Sequence, residues 1–102
     1  MRHPALSPAI GLMLLASTAT YAQDIDNGQH LSQRWCAGCH AVGAPTAKTS
    51  HIISFAAIAE KPGISAEMIA SFLLLPHATM PNLPLKKSDA QDIAAFIMTM
   101  KK

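Results

Sequence analysis

The chain is expected to fold as one small all-α domain. Three observations carry that expectation. Its 102 residues leave room for a single core, caps and prolines divide it into segments of helical period, and no run alternates convincingly with period two. Its two cysteines stand together in RWCAGCHAVG, residues 34–43, with a histidine directly after the second.

The first element reads as a leader rather than as part of the fold. Arg2 and His3 precede an apolar run from about Ala9 to Ala16, and small residues follow, which is the order of a secretory signal peptide. A membrane anchor needs roughly 20 apolar residues, more than this run offers. Thr20 and Ala22 place small side chains at the two positions a signal peptidase reads. Residues 1–22 are therefore assigned to the signal peptide, with Ala19 as the fallback cleavage point, and residues 23–102 to the domain.

A mature chain of that length buries a modest core of its own. Disulfides often supplement such cores in secreted proteins, but Cys36 and Cys39 could close only a tiny loop and would constrain the unfolded chain weakly. A bulky apolar cofactor would serve better. The eight Lys and Arg, one of them Arg2 in the leader, stand against six Asp and Glu. That near-neutral mature balance argues against a nucleic-acid partner, whose phosphates call for a strongly basic face. No stretch of the mature chain is apolar enough for a transmembrane span.

The first helix is expected from an Asp24 cap through about Cys36, with Asp26 at its positive end. Ile25, Gly28, Leu31, Ser32 and Trp35 share one of its faces. The segment 51–59, HIISFAAIA, is ambiguous between strand and short helix and is read as helix. The next helix begins at Ser65, with Ile64 and Ile69 placed for a hydrophobic staple, and ends before Pro76. Met68, Ile69, Phe72, Leu73 and Leu75 cover more of its circumference than a simple core stripe. The last helix is read as starting at Ser88, which with Gln91 makes a capping box, and carries the stripe Ile93, Phe96, Ile97 and Met100.

W-C-x-x-C suits a thioredoxin-like dithiol, and the added histidine suits covalent haem attachment. The dithiol fold needs a strand before the motif and a parallel sheet around it. Here a helix precedes Cys36. Zinc needs a second ligand pair, whereas His30, His51 and His77 are scattered. Haem attachment explains the spacing: residues three apart on a helical turn have Cβ atoms about 5–6 Å apart, so Cys36 and Cys39 can each add to a vinyl group on one porphyrin edge. His40, a further 100° or so round the turn, can bind iron from one side. Ala37 and Gly38 let the backbone approach the ring closely.

With CAGCH near the mature N-terminus, a Met-Pro pair in PHATMPNLPL and a closing amphipathic helix, the chain resembles a small class I monohaem bacterial cytochrome c. The resemblance covers essentially the whole mature sequence. It implies a class I cytochrome c fold of several helices around one covalent haem c with its iron, and periplasmic electron transfer rather than enzymatic catalysis. It also implies a cofactor site of Cys36, Cys39, His40 and Met80, in which His40 and Met80 bind the metal. Met80 suits that role physically, since Pro81 biases it toward extended backbone and Pro76, Pro81 and Pro84 stiffen the loop.

His77 is the rival sixth ligand. Met98 and Met100 compete less well, because a methionine on the last helix's core stripe commonly fills gaps. His30 and His51 read as solvated. GAPTAKTS lacks the Gly-Pro pair common in this family, so a backbone carbonyl near Pro45 is the expected acceptor for the His40 ring N–H. Arg34, Lys48, Thr49, Ser50 and Lys61 are candidate donors to the haem propionates. Gly28 is either a costly helix residue or the point where the last helix, through Phe96, crosses the first, and the second reading is preferred.

Redox proteins docking transiently, with Lys86 and Lys87 assisting, are the expected partners, whether the domain is free or a subunit of a larger complex. The alternative functions are a haem catalyst or gas sensor with a labile sixth site and, more remotely, a thiol-disulfide oxidoreductase.

Overall fold

The computed structural model describes residues 2–5, 8–13, 23–43, 52–75 and 80–102. Four helices follow in order, α1 (Ile25–Trp35), α2 (Phe55–Ala59), α3 (Ala66–Leu74) and α4 (Lys87–Met98). No strand occurs among the described residues, as expected for an all-α chain. Residues 8–13 of the expected leader are exposed and without regular structure; Thr20 and Ala22 lie outside the described residues. No described helix is long and apolar enough to cross a membrane.

The start of α1 follows from its cap. Asp24 is extended, and its carboxylate accepts the Asn27 N–H at 3.0 Å, satisfying one of the N–H groups a helix start leaves over. Ser54 caps α2 through the Ala57 N–H, and Ser65 caps α3 through the Met68 N–H. At the far end of α3, Leu75 is extended, with ψ 144, as a residue before proline must be. Gly63, at φ 73, makes the turn between α2 and α3.

The start of α4 differs from the sequence expectation. Its helix begins at Lys87 rather than Ser88, and no Ser88–Gln91 box forms. Asp89, three residues into the helix, accepts the Lys86 N–H through Oδ2 at 3.1 Å. Lys86 has no side-chain oxygen with which to return the bond, so only the backward half of a capping box exists there.

The core gathers on α4, against which α1, α2 and α3 each pack. Ala90, Ile93 and Ala94 are fully buried, and Phe96 and Ile97 nearly so. Met100 is half-buried beyond the helix end. The expected stripe is thus present, widened by two alanines that let neighbours come close. Gly28 faces this surface, and a Cβ there would meet the Asp92 carbonyl and lie 3.0 Å from the Phe96 Cβ. The crossing expected of the terminal helices is therefore real, with the Asp92 backbone as its nearest point.

Of the face expected on α1, Gly28 and Ser32 are buried and Leu31 half-buried, whereas Ile25 and Trp35 lie at its exposed margins. Trp35 instead stacks under the Arg34 guanidinium, 5.0 Å from the ring centroid, a cation–π contact. Ser32 is satisfied in place, its hydroxyl donating to the Gly28 carbonyl at 2.6 Å. Two further ties close the molecule. Asp92 reaches the start of α1, accepting the Asp24 N–H and the Asn27 side-chain amide, each at 2.8 Å. The Lys102 N–H donates to Glu60 Oε1 at 2.6 Å.

Candidate functional site

The Cys-x-x-Cys-His segment continues the path of α1. Cys36 ends the helix, its N–H bonded to the Ser32 carbonyl at 2.9 Å, and its own carbonyl accepts the N–H groups of Cys39 at 3.1 Å and His40 at 2.9 Å. One compact helical turn therefore carries both thiols and the imidazole. No disulfide joins Cys36 to Cys39. Cys36 is buried and Cys39 exposed, and burial pushes the Cys36 thiol above its ordinary pKa, keeping it protonated.

His40 is aimed by a neighbouring strip of backbone. Ile53 and Ser54, ahead of α2, run beside His40 and Ala41, and the Phe55 N–H donates to the Ala41 carbonyl at 3.0 Å. The same arrangement brings the Ile53 carbonyl to 2.6 Å from His40 Nδ1. A carbonyl can only accept, so Nδ1 carries the proton and Nε2 keeps its lone pair. The acceptor expected near Pro45 is thus Ile53 instead. Pro45 lies outside the described residues, and the substitution is physical: the pairing of residues 40–41 with 53–55 delivers a carbonyl that no side-chain pattern announces. Phe55 backs the imidazole, with ring centroids 5.7 Å apart, and meets Phe96 edge-on at 6.3 Å.

Apolar side chains are partly exposed on the segment that meets His40 and along α3 to its C-cap. Ile52 and Ile53 are 43% and 40% exposed, and Met68, Phe72 and Leu75 exceed half. On α3, Ile69 and Ala70 are buried and Leu73 is half-buried, so the wide apolar face splits into a buried part and an exposed one.

Met80 is half-buried, in a bend. His77, the rival ligand, lies outside the described residues, as do His51, Lys48, Thr49 and Ser50. His30 and Lys61 are exposed. Among the described residues no three His, Cys, Asp or Glu side chains converge on a point, so His40 would hold a metal only as part of a larger ligand set. Two cysteines and an imidazole with Nε2 available on one turn fit a group that is attached at two points and carries a metal.

Sequence reasoning missed Ile53, Phe55 and the Asp92 clasp. Phe55 carried a usable signal, as one of three phenylalanines and followed directly by the small and aliphatic run AAIA.

The chain is 42% identical over 87 residues to cytochrome c-552 of Bradyrhizobium diazoefficiens, and the match covers 84% of each chain. No protein-family model matches the sequence, and no solved structure matches it.

Proposed function

This chain belongs to the small monohaem c-type cytochromes, and from that membership we propose that it is a periplasmic electron carrier, not an enzyme, with His40 and Met80 as the axial ligands of its iron. The cofactor is one covalently bound haem c, and the coarser function, electron carriage, comes with the family. In this reading a signal peptide is removed after Ala22, and Cys36 and Cys39 form the two thioether bonds.

The observation that carries the reading is the bond from His40 Nδ1 to the Ile53 carbonyl. It fixes the tautomer, holds the ring against rotation and presents Nε2, the condition a ligating histidine needs. Phe55 limits ring movement from the side. Haem, when bound, supplies one-electron exchange at iron. The chain's part is to hold the ligand sphere nearly unchanged through that exchange. Met80 and His40 would together hold the iron, and because a thioether donates weakly and favours ferrous iron, this pair would give a higher potential than two histidines.

The thiol-oxidoreductase alternative loses support here. The first cysteine of such a motif works as a low-pKa nucleophile, whereas Cys36 is buried and shifted upward. Redox proteins are the proposed partners, docking transiently beside the exposed Lys86 and Lys87.

Absorption spectra of the oxidised and reduced periplasmic protein, with acid-organic extraction of the pigment, test the reading. Pigment that stays with the denatured chain supports attachment at Cys36 and Cys39. Pigment that extracts freely, or a normal holoprotein after both cysteines are replaced, refutes it. Rapid uptake of carbon monoxide by the parent protein at neutral pH would favour a sensor or catalyst.

A further inference from the structure

Gln23 stands directly before the cap of α1. It is exposed and outside any helix, and among the described residues no hydrogen bond holds its side chain or its N–H. It borders a cavity of about 320 Å3 that Ser71 and Gln91 also line, so its side chain has room to turn. Asp24, one residue on, is fixed on three sides. Its N–H donates to Asp92 Oδ1, its carboxylate accepts the Asn27 N–H and its carbonyl accepts the Gly28 N–H at 2.9 Å.

We propose that Gln23 is a modification site, converted to a pyroglutamyl residue as the new chain end. The inference rests on cleavage after Ala22, as proposed above. The α-amine released by that cleavage attacks Cδ of the same residue's carboxamide. A bond forms between the α-nitrogen and Cδ, the bond from Cδ to Nε2 breaks, and an amine proton leaves with the departing ammonia. No oxidant or other co-reactant is consumed.

The five-membered ring places nucleophile and carbonyl in one residue, where proximity replaces a bimolecular encounter. An α-amine with an ordinary pKa of about 7.7–8.0 is partly neutral near pH 7. The exposed Gln23 side chain, held by no hydrogen bond among the described residues, can adopt the closing geometry, while the Asp24 anchor keeps the rest of the helix start in place.

The consequence lies in how close the cap is to the end. Removal of two residues by an aminopeptidase would delete Asp24, and with it the N-cap and one of the two donors to Asp92. A lactam has no amine for such an enzyme to grip. Cyclised Gln23 therefore protects the junction of α1 with α4.

The test uses freshly isolated periplasmic holoprotein from a host that matures c-type cytochromes. The tryptic peptide of residues 23–34 is expected to be about 17 Da lighter than its unmodified form, and the intact protein to show the same deficit and no reductive methylation at its N-terminus. Aminopeptidase is expected to leave this protein whole, and to shorten the Gln23→Ala variant and lower its Tm. A peptide of unmodified mass with a methylated amine overturns the inference while cleavage after Ala22 stands. A deficit that arises only during storage or digestion also overturns it. A peptide beginning elsewhere overturns the inference together with the cleavage position.

Discussion

Gly28 and Asp92 meet backbone to backbone, with the Asp92 carbonyl and the Phe96 Cβ filling the space that a side chain at residue 28 would need. Gly28→Ala is therefore expected to push α1 off α4 and destabilise the holoprotein by at least about 1–3 kcal/mol, as overpacking does. Without that contact, Ala in a helix would be stabilising by up to about 1 kcal/mol. The sign of the change in Tm separates the two outcomes, with Gln29→Ala, on the exposed side of α1, as the control expected to stay near the parent.

Asp92 uses both carboxylate oxygens on the start of α1. Replacing it with Ala is expected to cost about 1.5–3 kcal/mol, the range for hydrogen bonds to a charged group, read from urea denaturation of the holoprotein. Asn27→Ala in the Asp92→Ala background should add less than Asn27→Ala does alone, because the two side chains share one bond. Additive losses would mean that the clasp does not form in solution.

Phe72 is more than half exposed to solvent in the protein surface described above. If the strip it shares with Met68 and Leu75 lies against the haem, Phe72→Ala should destabilise the holoprotein by about 1–3 kcal/mol and shift the Soret band. A substitution that changes neither stability nor spectrum would place Phe72 on the free surface.

Met80→Ala tests the sixth ligand. The variant is expected to bind carbon monoxide or cyanide readily while the parent resists both, and its potential should fall, since axial ligation tunes haem over about 0.8 V across proteins. Met98→Ala should do neither. If His77→Ala opens the site and Met80→Ala does not, ligation is bis-histidine.

The caps at Asp24 and Ser65 were legible because a cap is a short-range bond, from a side-chain oxygen to an N–H three residues on. The start of α4 was misread for the same reason. Ser88 and Gln91 have the right spacing, but the chain already turns helical at Lys87, and Asp89 makes the bond from inside. Gly28 was legible since a glycine inside a helix needs a reason to be there. The Ile53 carbonyl and the Asp92 clasp were not. The first is a backbone group whose position depends on the path of the whole segment from residue 41 to 53, and the second joins residues 65 and 68 positions apart. Within the haem motif the sequence announced the residue types, while only the folded path announced the partner that orients His40.

That α1 packs on α4 alone among the helices has a kinetic meaning. A contact between the first and last helices can form only once the intervening chain is present, and its high sequence separation slows folding. When the chain emerges from its N-terminal end, residues 36–40 appear well before the surface that buries Gly28 and Ser32 exists. Until Lys87–Met98 arrives, the face of α1 that carries Gly28 has no partner helix to pack on.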